Sequence, residues 1–557
     1  MTDLRSPRAD DPSTLLRDGR ASSRGPRLLR DLRARPWGDP LLAGVVGFAI
    51  AVAFSWVPSI WYDESATIVS ARRSWSELWT EIQHVDAVHA LYYALMHGWL
   101  AVVGYSPFTL RLPSALAVGV AAALVAVLAR TLAPRTTGLL AGLLFTLLPR
   151  VTWMGTEARS YALTATFATL LTLVFVIAVR RSEAERDGRT GIGAWRWWLL
   201  YGAVAVVAST LFIYTALVVV AHGVTLVLAA LAHRSGRRPQ ESRRSDGKGP
   251  GRAVVGWLLA AVAAGILLVP LVALARSQQA QVSWLPKPDS GVVQSLLVTQ
   301  WFPENPPLAV VGWAFVIVAV TVAWRRWRGG RGSEARRSDG AGVPGVAGVA
   351  LPWLLLPALV LVAVSVLGTP LYTARYLSFS TPALGLLMAA GVARLRDRRA
   401  MVAVVAVIAV LSAGTAVWQR LPEAKDASSW KAVAALVARE RAAEQLPAGQ
   451  SDAIVYGGIQ RHPGGSTRSI AYAYPAAFDG MTDVTLDEPA AATGRLWETR
   501  LPFARAVDRV DGHPVVWLVT RDSGGFSATV AAALRERGFR VDERWHFTEV
   551  DVVRFVR

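Results

Sequence analysis

Two adjacent carboxylates, Asp63 and Glu64, follow the first long apolar stretch of this 557-residue chain. The stretch from Leu41 to Ile60 carries no charge and is about 20 residues long, enough to cross a bilayer. Because charges are costly to hold near hydrocarbon, the pair is expected at the membrane surface, at the mouth of a transmembrane helix. There it could act as a general base, a metal ligand or an ion-coupling site.

Other ionisable residues fall where they could join this pair. A transferase that moves a sugar needs a base for the acceptor hydroxyl and cations for the departing phosphate. Asp63 fits the base, Arg159 and Arg375 fit the cations, and His89 follows on the same loop. Each also has a plainer interpretation: Asp63-Glu64 as a solvated helix end, Arg159 as the partner of Glu157 in a structural ion pair, Arg375 as a snorkelling cation, and His89 as an interfacial histidine.

The elements that must position these residues are transmembrane helices. Hydrophobic residues make up 53% of the chain and the mean hydropathy is +0.35, too apolar for an ordinary soluble protein. The pattern predicts about eleven spans. They are expected at 41–60, 111–129, 138–150, 161–179, 197–213, 215–232, 253–275, 308–323, 343–367, 377–393 and 400–418.

The distribution of arginine predicts which side of the membrane each segment occupies. With a cytoplasmic N-terminus, the Arg-rich segments around 180–189, 234–252, 325–337 and 394–399 all fall inside, as the positive-inside rule requires. The segments 61–110, 150–160, 276–307 and 368–376 are poor in basic residues and fall outside. Asp63 and Glu64 are therefore expected on the outer face.

The chain divides into three parts by composition. Residues 1–40 read as a disordered, basic cytoplasmic tail, and residues 41–420 as a transmembrane catalytic domain with a first outer loop at 61–110. Within that loop, 87–105 is expected to lie along the membrane surface, because counting it as a span spoils the charge pattern. Residues 421–557 mix strand and helix patterns and read as a small extracytoplasmic α/β domain.

Composition also excludes several classes of function. The net charge of +19 is segregated into short segments between apolar runs, which argues against nucleic acid as a partner. The chain has no cysteine, so disulfides, thiolate metal sites and cysteine nucleophiles are ruled out. It shows no P-loop or dinucleotide fingerprint. Heavy use of Ala, Arg, Gly and Val is typical of a GC-rich bacterial genome, so a bacterial cell membrane is the expected location.

The order of these features resembles the GT-C glycosyltransferase superfamily, in particular its family 39-like group of protein O-mannosyltransferases and the lipid A aminoarabinose transferase. The resemblance covers roughly residues 40–400. It is carried by Tyr62-Asp63-Glu64-Ser65, Asp86-Ala-Val-His89-Ala-Leu-Tyr92-Tyr93, Phe108-Thr-Leu-Arg111-Leu-Pro113-Ser114, Glu157-Ala-Arg159-Ser-Tyr161 and Arg375-Tyr376-Leu377.

The resemblance implies inverting transfer of a sugar from a polyprenyl-phosphate donor to a hydroxyl on the outer face. It makes Asp63 the catalytic base and Glu64 a residue that shapes the site, although their roles could be reversed. The implied substrate-binding residues are His89, Glu157, Arg159, Tyr161, Arg375 and Tyr376. Two prolines often follow the loop histidine in the family, whereas Ala90-Leu91 follow His89 here.

No metal is required by this resemblance, because Glu157-Ala-Arg159 replaces the paired acids of the metal-using oligosaccharyltransferases. Asp63 with Glu157 nevertheless leaves a divalent cation (Mg or Mn) open. Mannose is the first expectation for the donor sugar and arabinose the second. The acceptor is expected to be an envelope glycan, a lipoglycan or a protein. Two rival functions remain: a transporter or flippase of a lipid-linked envelope precursor, and a non-catalytic glycan-binding scaffold in the membrane.

Overall fold

A computed structural model describes residues 37–186, 193–234, 251–329, 345–443, 450–459, 462–521 and 525–557. Residues 1–36 of the predicted tail, and most of the basic segments at 234–252 and 325–337, lie outside these ranges. Up to Trp418 the described chain is helical. Its helices are α1 Gly38–Val52, α2 Tyr62–Ala71, α3 Trp75–His84, α4 Ala90–Val103, α5 Pro107–Leu132, α6 Arg135–Thr146, α7 Pro149–Gly155, α8 Tyr161–Arg186, α9 Ala194–Leu211, α10 Ala216–Arg234, α11 Gly251–Ser277, α12 Pro306–Gly329, α13 Val346–Leu367, α14 Thr381–Val392 and α15 Arg398–Trp418.

Several of these helices are long and apolar enough to cross a membrane, as expected for a multi-pass membrane protein. Within the described residues seven qualify, α5, α8, α10 to α13 and α15, and the pair α6–α7 makes an eighth if its 64° bend lies within one span. Each of the eleven predicted apolar runs overlaps a helix, but α1, α9 and α14 are not among those long and apolar enough to qualify. The count of eleven spans stays a prediction.

The first apolar run is not one continuous helix. Helix α1 ends at Val52, and the chain then turns through Phe54, whose φ is +56°. Pro58 further prevents regular helix in this segment, because it lacks an N–H and restricts the residue before it. The irregular stretch leaves its carbonyls open to other partners, and the site uses them.

Small residues let the first helices approach closely. An added Cβ on Gly119 of α5 would lie 2.9 Å from the carbonyl oxygen of Gly44 on α1, so only glycine fits there. This kind of contact is typical of membrane helices, where close packing replaces the hydrophobic driving force between elements. The tight α1–α5 contact fixes the segment that leads into α2.

After α15 the chain forms a mixed sheet flanked by helices. The strands are β1 Ala453–Tyr456, β2 Gly458–Ile459, β3 His462–Ser466, β4 Thr482–Asp483, β5 Val515–Thr520, β6 Arg540–His546 and β7 Asp551–Val556. The helices are α16 Trp430–Ala443, α17 Arg468–Ala473, α18 Ala490–Thr493, α19 Phe503–Ala506 and α20 Phe526–Glu536. Five strands pair in the order β4-β1-β5-β7-β6, with β1 parallel to both neighbours and β7 antiparallel to both of its own, while β2 and β3 form a separate antiparallel pair.

The sheet domain packs directly on the segment that carries the acidic pair. One apolar cluster runs from Ile60 and from Tyr92 of the 61–110 loop to Trp430 and Trp517 of the sheet domain. The backbone N–H of Ile60 donates to the Tyr474 hydroxyl at 2.9 Å. The two parts therefore meet within three residues of Asp63.

Candidate active site

Glu64 is fully buried, and both of its carboxylate oxygens are hydrogen-bonded within the protein. Both of its oxygens accept from Arg111 of α5, at 2.7 Å from Nε and 2.5 Å from Nη2, and Oε1 also accepts from the Ala158 N–H at 2.9 Å. Arg111, itself fully buried, donates in addition to the carbonyls of Ser55, Pro58 and Ser59. This bidentate pair fixes the irregular segment after α1 against α5 and, through Ala158, against the loop between α7 and α8.

Asp63, the neighbouring residue, has a different environment. It lies in the first turn of α2, where a carboxylate is favoured by the helix dipole. Its side chain is 18% exposed, and Oδ2 lies 3.1 Å from Nη1 of Arg375. Of the two carboxylates, Asp63 is thus the one that a substrate can reach.

Arg375 is positioned by aromatic rings and by a braced loop. Its guanidinium lies 5.5 Å from the Trp61 ring centroid and 5.7 Å from that of Trp284. The loop before it is tied to α13, because Ser365 Oγ accepts from the backbone N–H of Leu371 and of Tyr372, both at 2.8 Å. Its Nε is buried and has no hydrogen-bond partner among the described residues, so this donor is free for an anionic ligand.

Arg159 and His89 form a second contact next to Asp63. Arg159 Nη2 lies 2.8 Å from His89 Nε2, and Nη1 reaches the Asp63 carbonyl at 3.3 Å. Burial, together with the nearby charges of Arg159 and Arg375, lowers the pKa of His89 well below its ordinary value. The imidazole is therefore neutral near pH 7. Since a guanidinium only donates, Nε2 must accept and Nδ1 must carry the proton.

An aromatic cluster lies behind these polar groups. Phe212, between α9 and α10, has its ring centroid 6.5 Å from that of His89, nearly parallel to it, 6.2 Å from that of Tyr161 and 5.4 Å from that of Tyr376. The predicted residues Tyr161 and Tyr376 are thus gathered near His89 by a residue that the sequence did not single out. The cluster gives the site an apolar wall.

Glu157 lies deeper than the sequence suggested. It is fully buried, and neither carboxylate oxygen has a hydrogen-bond partner in the described parts of the chain. Burial raises the pKa of Glu157, while the charges of Lys425 and Arg375 oppose the rise. Lys425 is also fully buried, with its ammonium 3.7 Å from the Trp153 ring centroid. The Glu157 carboxylate therefore interacts with the site through the charges of Lys425 and Arg375.

The sheet domain adds an aromatic residue to this region. The rings of Tyr62 and Trp497 lie 5.1 Å apart at 40°, and both side chains are half-buried. Tyr62 is the residue directly before Asp63. Trp497 was missed at the sequence level because nothing in the pattern of 421–557 ties it to residue 62.

Other residues were visible in the sequence without an assigned role. Asp86 accepts from the Tyr93 hydroxyl at 2.7 Å, and Arg159 Nη1 lies 3.4 Å from the same hydroxyl. Asp86, Tyr93 and Arg111 stand in the motifs that carry the family resemblance. Their place in these motifs could have marked them as site residues, but the motifs do not predict which of them hydrogen-bonds to a candidate residue.

The segment 276–307 packs against the start of α7. Trp301 of that segment is buried, and its carbonyl accepts from the Arg150 N–H at 3.2 Å, which is a structural role. No group of three or more His, Asp or Glu side chains arranged to hold a metal occurs in the ranges that the structure describes.

Comparison with solved structures identifies the fold. No family model matches the sequence, and no curated protein matches it either. The crystal structure of ArnT from Cupriavidus metallidurans bound to undecaprenyl phosphate matches with a TM-score of 0.53 at 13% identity, covering 93% of this chain and 98% of that one. The apo structure of the same protein gives 0.53 at 14% identity, over 92% and 97%. The likeness shows that this chain has the fold of ArnT, which agrees with the GT-C fold expected from the motifs.

Proposed function

We propose that this protein is an inverting glycosyltransferase that moves a sugar from a polyprenyl-phosphate donor to a hydroxyl acceptor of the cell envelope. The observation that carries the proposal is the Asp63–Arg375 pair: a partly exposed carboxylate 3.1 Å from a guanidinium that still has a buried, unpartnered Nε. The first group suits a base and the second an anion.

The proposed reaction is a single displacement at the anomeric carbon. The acceptor oxygen forms a bond to C1 while the bond from C1 to the phosphate oxygen breaks, and polyprenyl phosphate leaves with the electron pair. Asp63 takes the proton of the acceptor hydroxyl. Arg375 and Arg159 stabilise the negative charge that grows on the phosphate, and they do so from fixed positions, which is where electrostatic catalysis gains most.

The kind of donor is supported by the fold and by the type of cation. ArnT of this fold has been crystallised with undecaprenyl phosphate. Arginine suits a phosphate at a membrane interface because its planar fork can donate two parallel hydrogen bonds. Mannose remains our first proposal for the sugar and arabinose the second. The outward orientation of the site and of residues 421–557 rests on the arginine distribution.

The two acidic residues receive different roles in this proposal. Glu64 is the structural member, because its oxygens are already occupied by Arg111 and Ala158. Asp63 is the base, because its carboxylate is accessible. A required divalent cation is not part of the proposal.

The test is Asp63→Asn in the purified full-length protein, assayed with radiolabelled polyprenyl-phosphate mannose, arabinose and glucose and with envelope extract as the acceptor. We expect the rate of transfer to fall about 10²- to 10⁴-fold, as for loss of a general base, while polyprenyl phosphate still binds. Full transfer by the variant would overturn the assignment of the base.

Glu64→Gln is the matched control. Leaving Arg111 buried without its partner should cost about 3–5 kcal/mol, so this variant should lose thermal stability before chemistry is measured. Asp63→Asn should keep the wild-type melting temperature within a few degrees. Equal loss of stability in both variants would contradict the separation of roles.

The same experiment separates the rival functions. A flippase would move a lipid-linked precursor across vesicles without transferring its sugar, and a glycan-binding scaffold would tolerate Asp63→Asn. In the described residues the candidate charges gather around the start of α2, whereas a transporter is expected to place them at mid-membrane between broken helices. This clustering favours the enzyme.

A further inference from the structure

The segment that follows α11 has no role in the chemistry proposed above, yet its first residue reaches the loop that carries His89. Gln278 comes directly after α11 and is partly buried. Its side-chain Oε1 accepts from the backbone N–H of Ala87 at 2.9 Å, and its Nε2 donates to the carbonyl of Ile82 at 2.9 Å. A single amide therefore bonds to the chain on both sides of Asp86.

The two backbone groups that Gln278 binds belong to helix ends. Ile82 lies in the last turn of α3, and Ala87 opens the short 3₁₀ turn Ala87–His89. Carbonyls at the end of a helix and N–H groups at its start have no partner within the helix. Since a side-chain amide offers both a donor and an acceptor, Gln278 satisfies one group of each kind, and its two partners fix which way round the amide lies.

The turn between these two groups is strained. Asp86 has a φ of +57°, a conformation that residues other than glycine keep only where their surroundings hold it. From inside the turn, the His89 N–H donates to the Asp86 carbonyl at 2.8 Å. The support from another element comes from Gln278, 191 positions beyond Ala87, and the Gln281 side chain donates to the same Oε1 at 3.2 Å. The amide thus acts as a clamp on the turn.

Both side chains that orient the Arg159 guanidinium depend on this turn. The Asp86 carboxylate accepts from the Tyr93 hydroxyl at 2.7 Å, which leaves the lone pairs of that hydroxyl for Arg159 Nη1 at 3.4 Å. His89, the last residue of the turn, accepts from Arg159 Nη2 at 2.8 Å. A shift of the turn would therefore move both contacts of the guanidinium together.

We propose that Gln278 is a positioning residue for Arg159. By clamping the Asp86 turn it keeps the guanidinium where it meets the phosphate of the donor lipid. This inference rests on the proposed function, in which Arg159 stabilises the charge on that phosphate. Gln278 needs no contact with the substrate, and the segment after α11 takes part in donor binding through it.

The first experiment measures phosphate binding without catalysis. Undecaprenyl phosphate and undecaprenol, which lacks the phosphate, are each titrated into the full-length protein in detergent by microscale thermophoresis. Gln278→Met keeps the length of the side chain and loses both hydrogen bonds, so it should weaken binding of undecaprenyl phosphate about five- to tenfold and leave that of undecaprenol unchanged. Gln278→Glu, which keeps an acceptor for the Ala87 N–H, should weaken it less.

A double-mutant cycle tests whether the effect passes through Arg159. Arg159→Lys keeps the charge, and with it a measurable affinity, but not the planar fork that Tyr93 and His89 hold. In the Arg159→Lys background, Gln278→Met should change the affinity for undecaprenyl phosphate less than about twofold. Additive losses would show that Gln278 acts elsewhere and would overturn the proposal.

Gln279→Met is the matched control. Gln279 is the neighbouring glutamine, is exposed, and donates to Thr369 Oγ1 at 2.6 Å rather than to the Asp86 turn. It should leave the affinity for undecaprenyl phosphate unchanged. Equal losses in Gln278→Met and Gln279→Met, or a loss of undecaprenol binding in Gln278→Met, would assign the effect to general disturbance of the segment and contradict a positioning role.

Hydrogen–deuterium exchange gives a measurement that needs no ligand. Gln278→Met should speed exchange in peptides that cover residues 85–93, whereas Gln279→Met should not, and unchanged exchange in Gln278→Met would overturn the clamp. The two proposals fail in different ways. If the wild type does not bind undecaprenyl phosphate, the donor of the proposed function is wrong. If the wild type binds it and Gln278→Met binds it equally well, the inference about Gln278 alone is wrong.

Discussion

The contact of His89 with Arg159 fixes the tautomer of a buried imidazole. Nε2 accepts from the guanidinium at 2.8 Å, so Nδ1 carries the proton, and this N–H has no hydrogen-bond partner within the described residues. A buried donor without a partner costs free energy unless a ligand satisfies it. We infer that Nδ1–H donates to the sugar or the phosphate of the donor.

Substitutions that imitate one ring nitrogen at a time test this inference. The amide of Asn lies near the position of Nδ1, and that of Gln near the position of Nε2. His89→Asn should therefore keep the donor KM within about fivefold of wild type, whereas His89→Gln should raise it more than tenfold. The opposite ranking in steady-state kinetics would mean that the histidine serves only to orient Arg159.

At the scale of single residues, the sequence predicted part of the candidate site. It placed Asp63, His89, Arg159 and Arg375 on one face, and the structure brings them into contact. It could not separate Asp63 from Glu64, because both open the same helix and only the position of Arg111 distinguishes them. Nor could it show that the Glu157 carboxylate has no hydrogen-bond partner among the described residues, since burial of a loop residue depends on elements far away in sequence.

The segment between α15 and α16 carries Lys425, whose charge acts on Glu157. Gln419 accepts from Thr152 Oγ1 at 2.6 Å and donates to the Pro149 carbonyl at 3.0 Å, which ties the end of α15 to α7. Asp426 and Ala427 then adopt φ values of +53° and +55°. Two consecutive non-glycine residues in this region cost of order 1–3 kcal/mol each and need support from their surroundings.

Lys425, within that segment, is buried near Glu157 as its charge partner. We expect Lys425→Met to lower the melting temperature by several degrees, because it removes the larger of the two positive charges that act on the Glu157 carboxylate and leaves only that of Arg375. The double variant Lys425→Met/Glu157→Gln should recover most of that loss. A thermal-shift double-mutant cycle measures the coupling, and strictly additive effects would show that the two side chains act independently.

At the scale of the elements, the positions of the long helices could be predicted from the apolar runs of the sequence. Each long run forms a helix because a buried, uncharged segment has no other way to pair its backbone in a membrane. The early end of α1 at Val52 was not predictable, since the segment to Ile60 is equally apolar. What ends the helix is the turn at Phe54. The carbonyl of the next residue, Ser55, accepts from Arg111, which lies 56 positions later in the sequence.

At the scale of the whole molecule, a charged contact beside the apolar cluster joins the 61–110 loop to the sheet domain. Arg73 lies 3.1 Å from Glu81 while it also donates to the Arg495 carbonyl of the sheet domain, and Ser70 donates to Glu81 at 2.7 Å. Burial raises the pKa of Glu81 to about 7, although Arg73 and Ser70 oppose the rise. The contact therefore titrates near neutral pH.

The pH dependence of stability follows from the direction of this shift. Between the ordinary pKa of 4.5 and about 7 the folded protein holds a proton that the unfolded chain has released, so this group's contribution to stability falls as the pH rises through that interval.

Glu81→Gln, which imitates the protonated form, should make the melting temperature depend less on pH between pH 5 and pH 8. Glu77→Gln on the same helix is the control, because the pKa of Glu77 is lowered by its capping bonds to Ser74 and its titration falls below this interval. Equal slopes in wild type and Glu81→Gln would remove Glu81 from the explanation.

The Glu64–Arg111 pair also constrains how this chain can be made and how it can change. The two residues lie 47 positions apart and bond with each other while fully buried. During synthesis Glu64 has no partner until α5 has left the ribosome, so the segment from α1 to α5 must fold as one unit before the later helices pack around it. The same bond couples the evolution of the two positions. A substitution at either one leaves a buried charge without its partner, so only a simultaneous change at both preserves the fold that carries Asp63.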